Sequence, residues 1–162
     1  MRTLKLVFTR VLEWMVAAIV AFLVLVVLWG VVSRFAIQLP SRWTEELATQ
    51  LLVWVAMLGA AVAFSRREHL GVDYLHAKLH PEAQRLLSIL IQGLVIVFAG
   101  CVMVGGGCVL VSKTWASGQV TPALGIRMGL VYLSVPISGL FIVFFAIEQM
   151  IELVQQRPWK EP

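Results

Sequence analysis

Charged side chains are scarce in this chain. Only 14% of its 162 residues are Asp, Glu, Lys or Arg, against about 25% in a soluble domain. The few present bracket long uncharged blocks, and no ionisable group falls at the middle of a block. Such groups are costly in hydrocarbon and mark ion or substrate pathways where they are kept. Their absence argues against a proton-coupled exporter, which needs a buried carboxylate. Cysteine is short as well. Cys101 and Cys108 lie in one apolar block, farther apart than a redox or zinc pair and without companion ligands. All three histidines (His69, His76 and His80) fall in one polar connection, which excludes haem ligation within a span. The chain reads as a non-enzyme with no cofactor or metal. Basic stripes with interleaved aromatics are also missing. The net charge of +4 therefore points to membrane orientation and not to nucleic acid.

What is present is apolar. Hydrophobic residues make up 60% of the chain, and mean hydropathy is +0.89. Charges bracket four blocks: Glu13 and Arg34 enclose 14–33, and Glu46 and Arg66 enclose 47–65. Arg85 and Lys113 enclose 86–112, and Arg127 and Glu148 enclose 128–147. At ~1.5 Å per residue, about twenty residues cross a hydrocarbon core of roughly 30 Å. The third block exceeds that, which predicts tilt or extension beyond the membrane. The ten-residue alternating segments of a β-barrel are not found. The expected fold is an all-α membrane protein, one domain over 1–162 with four transmembrane helices. The uncharged run Trp14 to Val32 is too long for the roughly 7–15 residues of a signal h-region, so it reads as a retained anchor.

Lys and Arg set the orientation. Arg2, Lys5, Arg10, Arg66, Arg67, Lys78, Arg85, Arg157 and Lys160 fall on one side, and Arg34, Arg42, Lys113 and Arg127 on the other. Both termini are therefore expected in the cytoplasm. Trp14, Trp29, Trp43 and Trp115 fall near headgroup levels, whereas Trp54 lies inside the second span. Pro40-Ser41, followed by Thr44-Glu45-Glu46, supplies caps and acids for a helix start. His80-Pro81-Glu82 does the same for the third helix. Val72, Leu75 and Leu79 recur at helical spacing, which predicts a short interfacial helix between spans two and three. Gly105-Gly106-Gly107 reads as close backbone packing or a kink. Small residues four apart also allow close helix approach (Ala17 and Ala21, Ala56 and Ala60, Gly59 and Ala63, Ser134 and Ser138).

An ordered set of short motifs then stands out. Ser33-Arg34-Phe35 ends the first span, and Trp43-Thr44-Glu45-Glu46-Leu47-Ala48 opens the second. Val53-Trp54, Leu58-Gly59-Ala60-Ala61, His69 and Val72-Asp73 follow. Thr121-Pro122-Ala123-Leu124-Gly125-Ile126, Tyr132 and Pro136 complete the set. This set, covering about two thirds of the chain, resembles the small membrane subunit of the TRAP transporters (tripartite ATP-independent periplasmic transporters). Arg127 stands where that family usually has proline, and Leu70-Gly71 also departs from its pattern.

The resemblance implies a bacterial inner-membrane, multi-pass accessory subunit. Its partners would be a large sodium-driven permease subunit and a periplasmic binding protein that captures an organic acid. The small subunit would brace the permease within the bilayer and bind no substrate. The residues it singles out for subunit contact or assembly are Arg34, Arg42, Trp43, Glu45, Glu46, Trp54, His69, Asp73, Thr121 and Pro122. Read from the residues alone, Glu45 and Glu46 are helix-start acids and Thr121-Pro122 a re-entry turn. Trp54 fills either an internal contact or a seam with a partner. His69 and Asp73 share a face only if helical. Two other classes stay open: a self-contained four-helix transporter or channel acting as a homo-oligomer, and a membrane anchor for a redox or signalling enzyme.

Overall fold

A computed structural model describes residues 2–36, 38, 41–66 and 81–155. His69, Asp73 and the expected interfacial helix lie outside the described residues. In hydrocarbon each backbone N–H and C=O needs an internal partner, so long apolar runs cross only as helices or closed barrels. Here they are helices: α1 Arg2–Phe35, α2 Arg42–Ser65, α3 Pro81–Val97, α4 Gly107–Ala116, α5 Met128–Tyr132 and α6 Ser134–Gln155. A π-helical stretch, Phe98–Gly106, joins α3 to α4. Among the described residues, four helical stretches are long and apolar enough to span: Leu6–Phe35, Arg42–Ser65, Leu86–Ala116 and Met128–Leu153.

Several boundaries differ from the bracketing charges. α1 begins well before Glu13, and the third span runs past Lys113 to Ala116. Pro81 opens α3 as expected. Pro136 has no N–H to offer the Tyr132 carbonyl, and the fourth span breaks at Leu133 between α5 and α6. The Ile137 N–H then restores the ladder to the Leu133 carbonyl at 3.2 Å. Four spans run back and forth, so the first and last described residues share one end of the bundle, here the terminal end. The connections 36–41 and 117–127 share the other, the hairpin end.

The fourth span is central, packing against α2, α3 and the π-helical stretch, whereas α1 packs mainly on α2. Burial follows position. Of each span's most apolar stretch, 39% is buried in the fourth span and only 6% in the first. The core holds Leu12, Leu58, Ala61, Phe64, Ala99, Ile142, Phe145 and Ala146. Phe8 of α1 reaches across to Phe144, with ring centroids 5.2 Å apart. Lipid tails are as apolar as leucine, so such packing stabilises through contact rather than through release of water.

Toward the hairpin end the third and fourth spans meet through glycine. A Cβ on Gly107 would stand 2.9 Å from Pro136 Cδ, and one on Gly139 2.8 Å from Met103 Cβ. Of the glycine run, Gly107 is buried here while Gly105 and Gly106 face outward. Ser134 and Ser138 are fully buried; their hydroxyls donate back to the Val131 and Val135 carbonyls at 2.8 and 2.9 Å. Ala17, Ala21, Ala56 and Ala60 instead face outward.

Candidate functional site

At the hairpin end the loop 121–126 is closed on itself. The Thr121 N–H donates to the Ile126 carbonyl at 2.9 Å, and the Gly125 N–H to the Thr121 carbonyl at 3.0 Å. The Thr121 hydroxyl accepts from the Ile126 N–H at 3.0 Å. Gly125 sits at φ +66, a left-handed conformation that costs glycine nothing. Folding the loop this way turns the two N–H groups after Pro122 outward, toward α2. Glu46 takes both: Ala123 N–H donates to Oε2 at 2.7 Å and Leu124 N–H to Oε1 at 3.3 Å. Consecutive N–H groups in a turn form an anion-binding concavity, and here the anion is a side chain from another span. Glu46 and Thr121, separate candidates in the sequence, thus belong to one clip joining α2 to the 121–126 loop. Pro122 is exposed beside it.

The other sequence candidates divide around that clip. The expected side-chain cap on α2 is not formed: Ser41 occupies the N-cap position without capping any N–H. Instead the Thr44 hydroxyl donates to the Ser41 carbonyl at 2.7 Å, and Ser41 Oγ lies 2.8 Å from Thr44 Oγ1. With the Thr44 proton committed, the Ser41 hydroxyl is the donor of that second bond, so both side chains are used locally. Arg42 and Trp43 are exposed. Arg34 and Glu45 are exposed too, and both line a groove of about 210 Å³ between α1 and α2. Trp54 packs against the core cluster within the chain. Arg127, the departure from the family pattern, lies over Trp115 at 5.1 Å from the ring centroid, a cation–π arrangement.

The terminal end is fastened by residues that were not among the site candidates of the sequence. The Gln92 amide donates to Gln149 Oε1 at 2.8 Å, and the Gln149 amide donates to the Phe64 carbonyl at 3.1 Å. Both glutamines are buried, at 7% and 2% exposure. One chain of bonds therefore ties α3, α6 and the end of α2. Beside it Arg66 grips Glu13 through Nε and Nη2, at 3.0 and 2.9 Å, which joins α2 to α1. Gln92 lies inside the third apolar block, 86–112, and nothing along the chain names its partner. Gln149 lies just past Glu148, the charge that bounds the fourth block, so the apolar pattern did not single it out. The residues of the Glu13–Arg66 pair were each read as the edge of a separate span.

These features define a class: a four-span helical membrane protein, pinned at both ends by side chains, with apolar faces turned outward. The chain matches the family described as "Tripartite ATP-independent periplasmic transporters, DctQ component" over residues 23–156, and it belongs to that family. It is thus a small permease component of the inner membrane, a transporter family and not an enzyme class. The chain is 26% identical over 155 residues to the sialic acid TRAP transporter small permease protein SiaQ of Vibrio cholerae, covering 96% of this chain and 88% of that protein. It is also 26% identical to a putative TRAP transporter small permease protein of Haemophilus influenzae, over 95% of this chain and 94% of the relative. A third match is the sialic acid TRAP transporter permease protein SiaT of Haemophilus influenzae. There the identity is 31% over 85 residues, covering 52% of this chain but only 14% of the much longer relative.

Proposed function

We propose that this chain braces a large permease subunit in a sodium-driven, binding-protein-dependent importer of an organic carboxylate, and binds no substrate itself. The observation that carries this reading is the match to a small fraction of a far longer permease protein. A sequence like this one, joined in a single polypeptide to a large permease, is a neighbour of that permease by construction. The architecture suits such a neighbour. Ties at both ends make the bundle a stiff body, and α1 offers an almost unburied span to whatever lies beside it. Relatives are named for sialic acid and for C4-dicarboxylate. Both are carboxylates, which supports an organic acid as cargo.

In this arrangement both termini are cytoplasmic and the hairpin end faces the periplasm, a reading supported by the Lys and Arg distribution. Glu46, Thr121 and Trp54 act within the chain. Contacts with the permease or the binding protein then fall to exposed residues such as Arg42, Trp43 and Pro122. The test is reconstitution into sodium-loaded and sodium-free vesicles. Uptake of a carboxylate should require this chain, a large subunit, a loaded binding protein and an inward sodium gradient together. Flux through this chain alone would overturn the bracing role and favour a homo-oligomeric transporter.

A further inference from the structure

The groove between α1 and α2 carries one cation and one anion at its rim, and apolar side chains below. Arg34 lies in the last turn of α1 and Glu45 in the first turn of α2. Val27, Val31 and Gly30 line the α1 wall, and Thr44 lies at the foot of α2. Gly30 lets α1 approach α2 closely at the floor of the groove, since a Cβ there would come within 3.1 Å of Thr44 Oγ1. Thr44 is fixed in turn by its hydrogen bond to the Ser41 carbonyl. Among the described residues neither Arg34 nor Glu45 has an ion-pair partner. Two opposite charges therefore line one cavity, and no ion pair joins them.

We propose that this groove binds a phospholipid with a zwitterionic ethanolamine headgroup, from the leaflet at the hairpin end. Arg34 takes the phosphate, because a guanidinium presents paired N–H donors that match phosphate oxygens. Glu45 takes the ammonium, whose three N–H donors form charge-assisted bonds to a carboxylate. The first acyl carbons run down along Val31 and Val27. At about 210 Å³ the groove is smaller than the roughly 300–1,000 Å³ of a small-molecule pocket. It fits a headgroup and the start of a chain, with the rest of the lipid in the bilayer. Glu45 is the selective element. A choline headgroup has no N–H to donate, and a glycerol headgroup has no cation.

This proposal does not depend on which transporter the chain serves. The test is native mass spectrometry of the full chain, released from micelles containing equal amounts of phosphatidylethanolamine, phosphatidylcholine and phosphatidylglycerol with matched acyl chains. The wild type should retain the ethanolamine lipid over each of the others by about tenfold, as one charge-assisted bond allows. Glu45→Gln should bring the ethanolamine-to-choline ratio close to one while a lipid is still retained. Arg34→Gln should lose retention of all three. Both positions are exposed, and circular dichroism of each variant checks that the helices are intact. Equal retention of the three lipids by the wild type would mean annular lipid only and overturn the proposal. So would an ethanolamine preference that survives both substitutions. Unchanged lipid ratios with loss of copurification with a large permease would assign the groove to a protein partner, which also overturns it.

Discussion

Replacing Gln149 with leucine tests whether the terminal end is held by the buried amide chain. In the wild type Gln149 accepts from Gln92 and donates to the Phe64 carbonyl, at 2% exposure. Gln149→Leu removes both bonds and strands the Gln92 amide donor inside the bundle. A buried polar group left without its partner costs about 1–3 kcal/mol. Gln92→Leu should be milder. It too costs a bond, but it also removes Gln92 Oε1, a buried acceptor without a partner among the described residues. The double variant Gln92→Leu/Gln149→Leu should lose no more than Gln149→Leu alone, since no amide is then stranded. Interhelical hydrogen bonds in membranes average roughly 0.6 kcal/mol and reach about 1.7, and the coupling in this cycle should fall in that range. Equilibrium unfolding in mixed micelles with increasing dodecyl sulfate, followed by circular dichroism, measures all four proteins. Strictly additive losses would refute the reasoning, because the two amides would then not be speaking to each other.

Gly107→Ala should destabilise the bundle by about 1–3 kcal/mol through overpacking against Pro136. Gly59→Ala, which meets nothing within 4 Å, should be neutral or slightly stabilising in the same assay. Glu46→Gln should raise amide hydrogen exchange at Ala123 and Leu124, since one of the two carboxylate acceptors becomes an N–H₂ donor facing an N–H. Exchange that stays unchanged there would remove the clip. In a background lacking the exposed Cys101 and Cys108, cysteines at Gln38 and Gln119 should react with an impermeant thiol reagent from the periplasm, and one at Gln156 should not. The reverse pattern would invert the topology.

The four spans were legible because the bilayer imposes a one-dimensional rule: about twenty apolar residues in a row, charges at the edges. Pro81 at the start of α3 was legible for a similarly local reason, since proline suits a first helical position and few others. The Ser41 cap was misread because two hydroxyls three residues apart bonded to each other and to the backbone instead of capping. That choice depends on rotamers, which composition does not specify. Glu46 and Thr121 were each singled out, yet nothing in the linear sequence joined them.

Helicity, the number of crossings and the uneven distribution of basic residues were thus determined by the sequence alone, because each depends on neighbours along the chain and on the solvent. Pairing was decided only by tertiary structure. Glu46 meets the Ala123 and Leu124 amides, Gln92 meets Gln149, and Glu13 meets Arg66. Apolar spans do not select their neighbours by hydrophobicity in a solvent that is itself apolar. The order of the helices is set by shape and by a few polar groups with few other partners inside the membrane. Gly107 against Pro136 and Gly139 against Met103 provide the shape. The amide chain and the carboxylate clip provide the polar groups, and both come into being only once the helices have met.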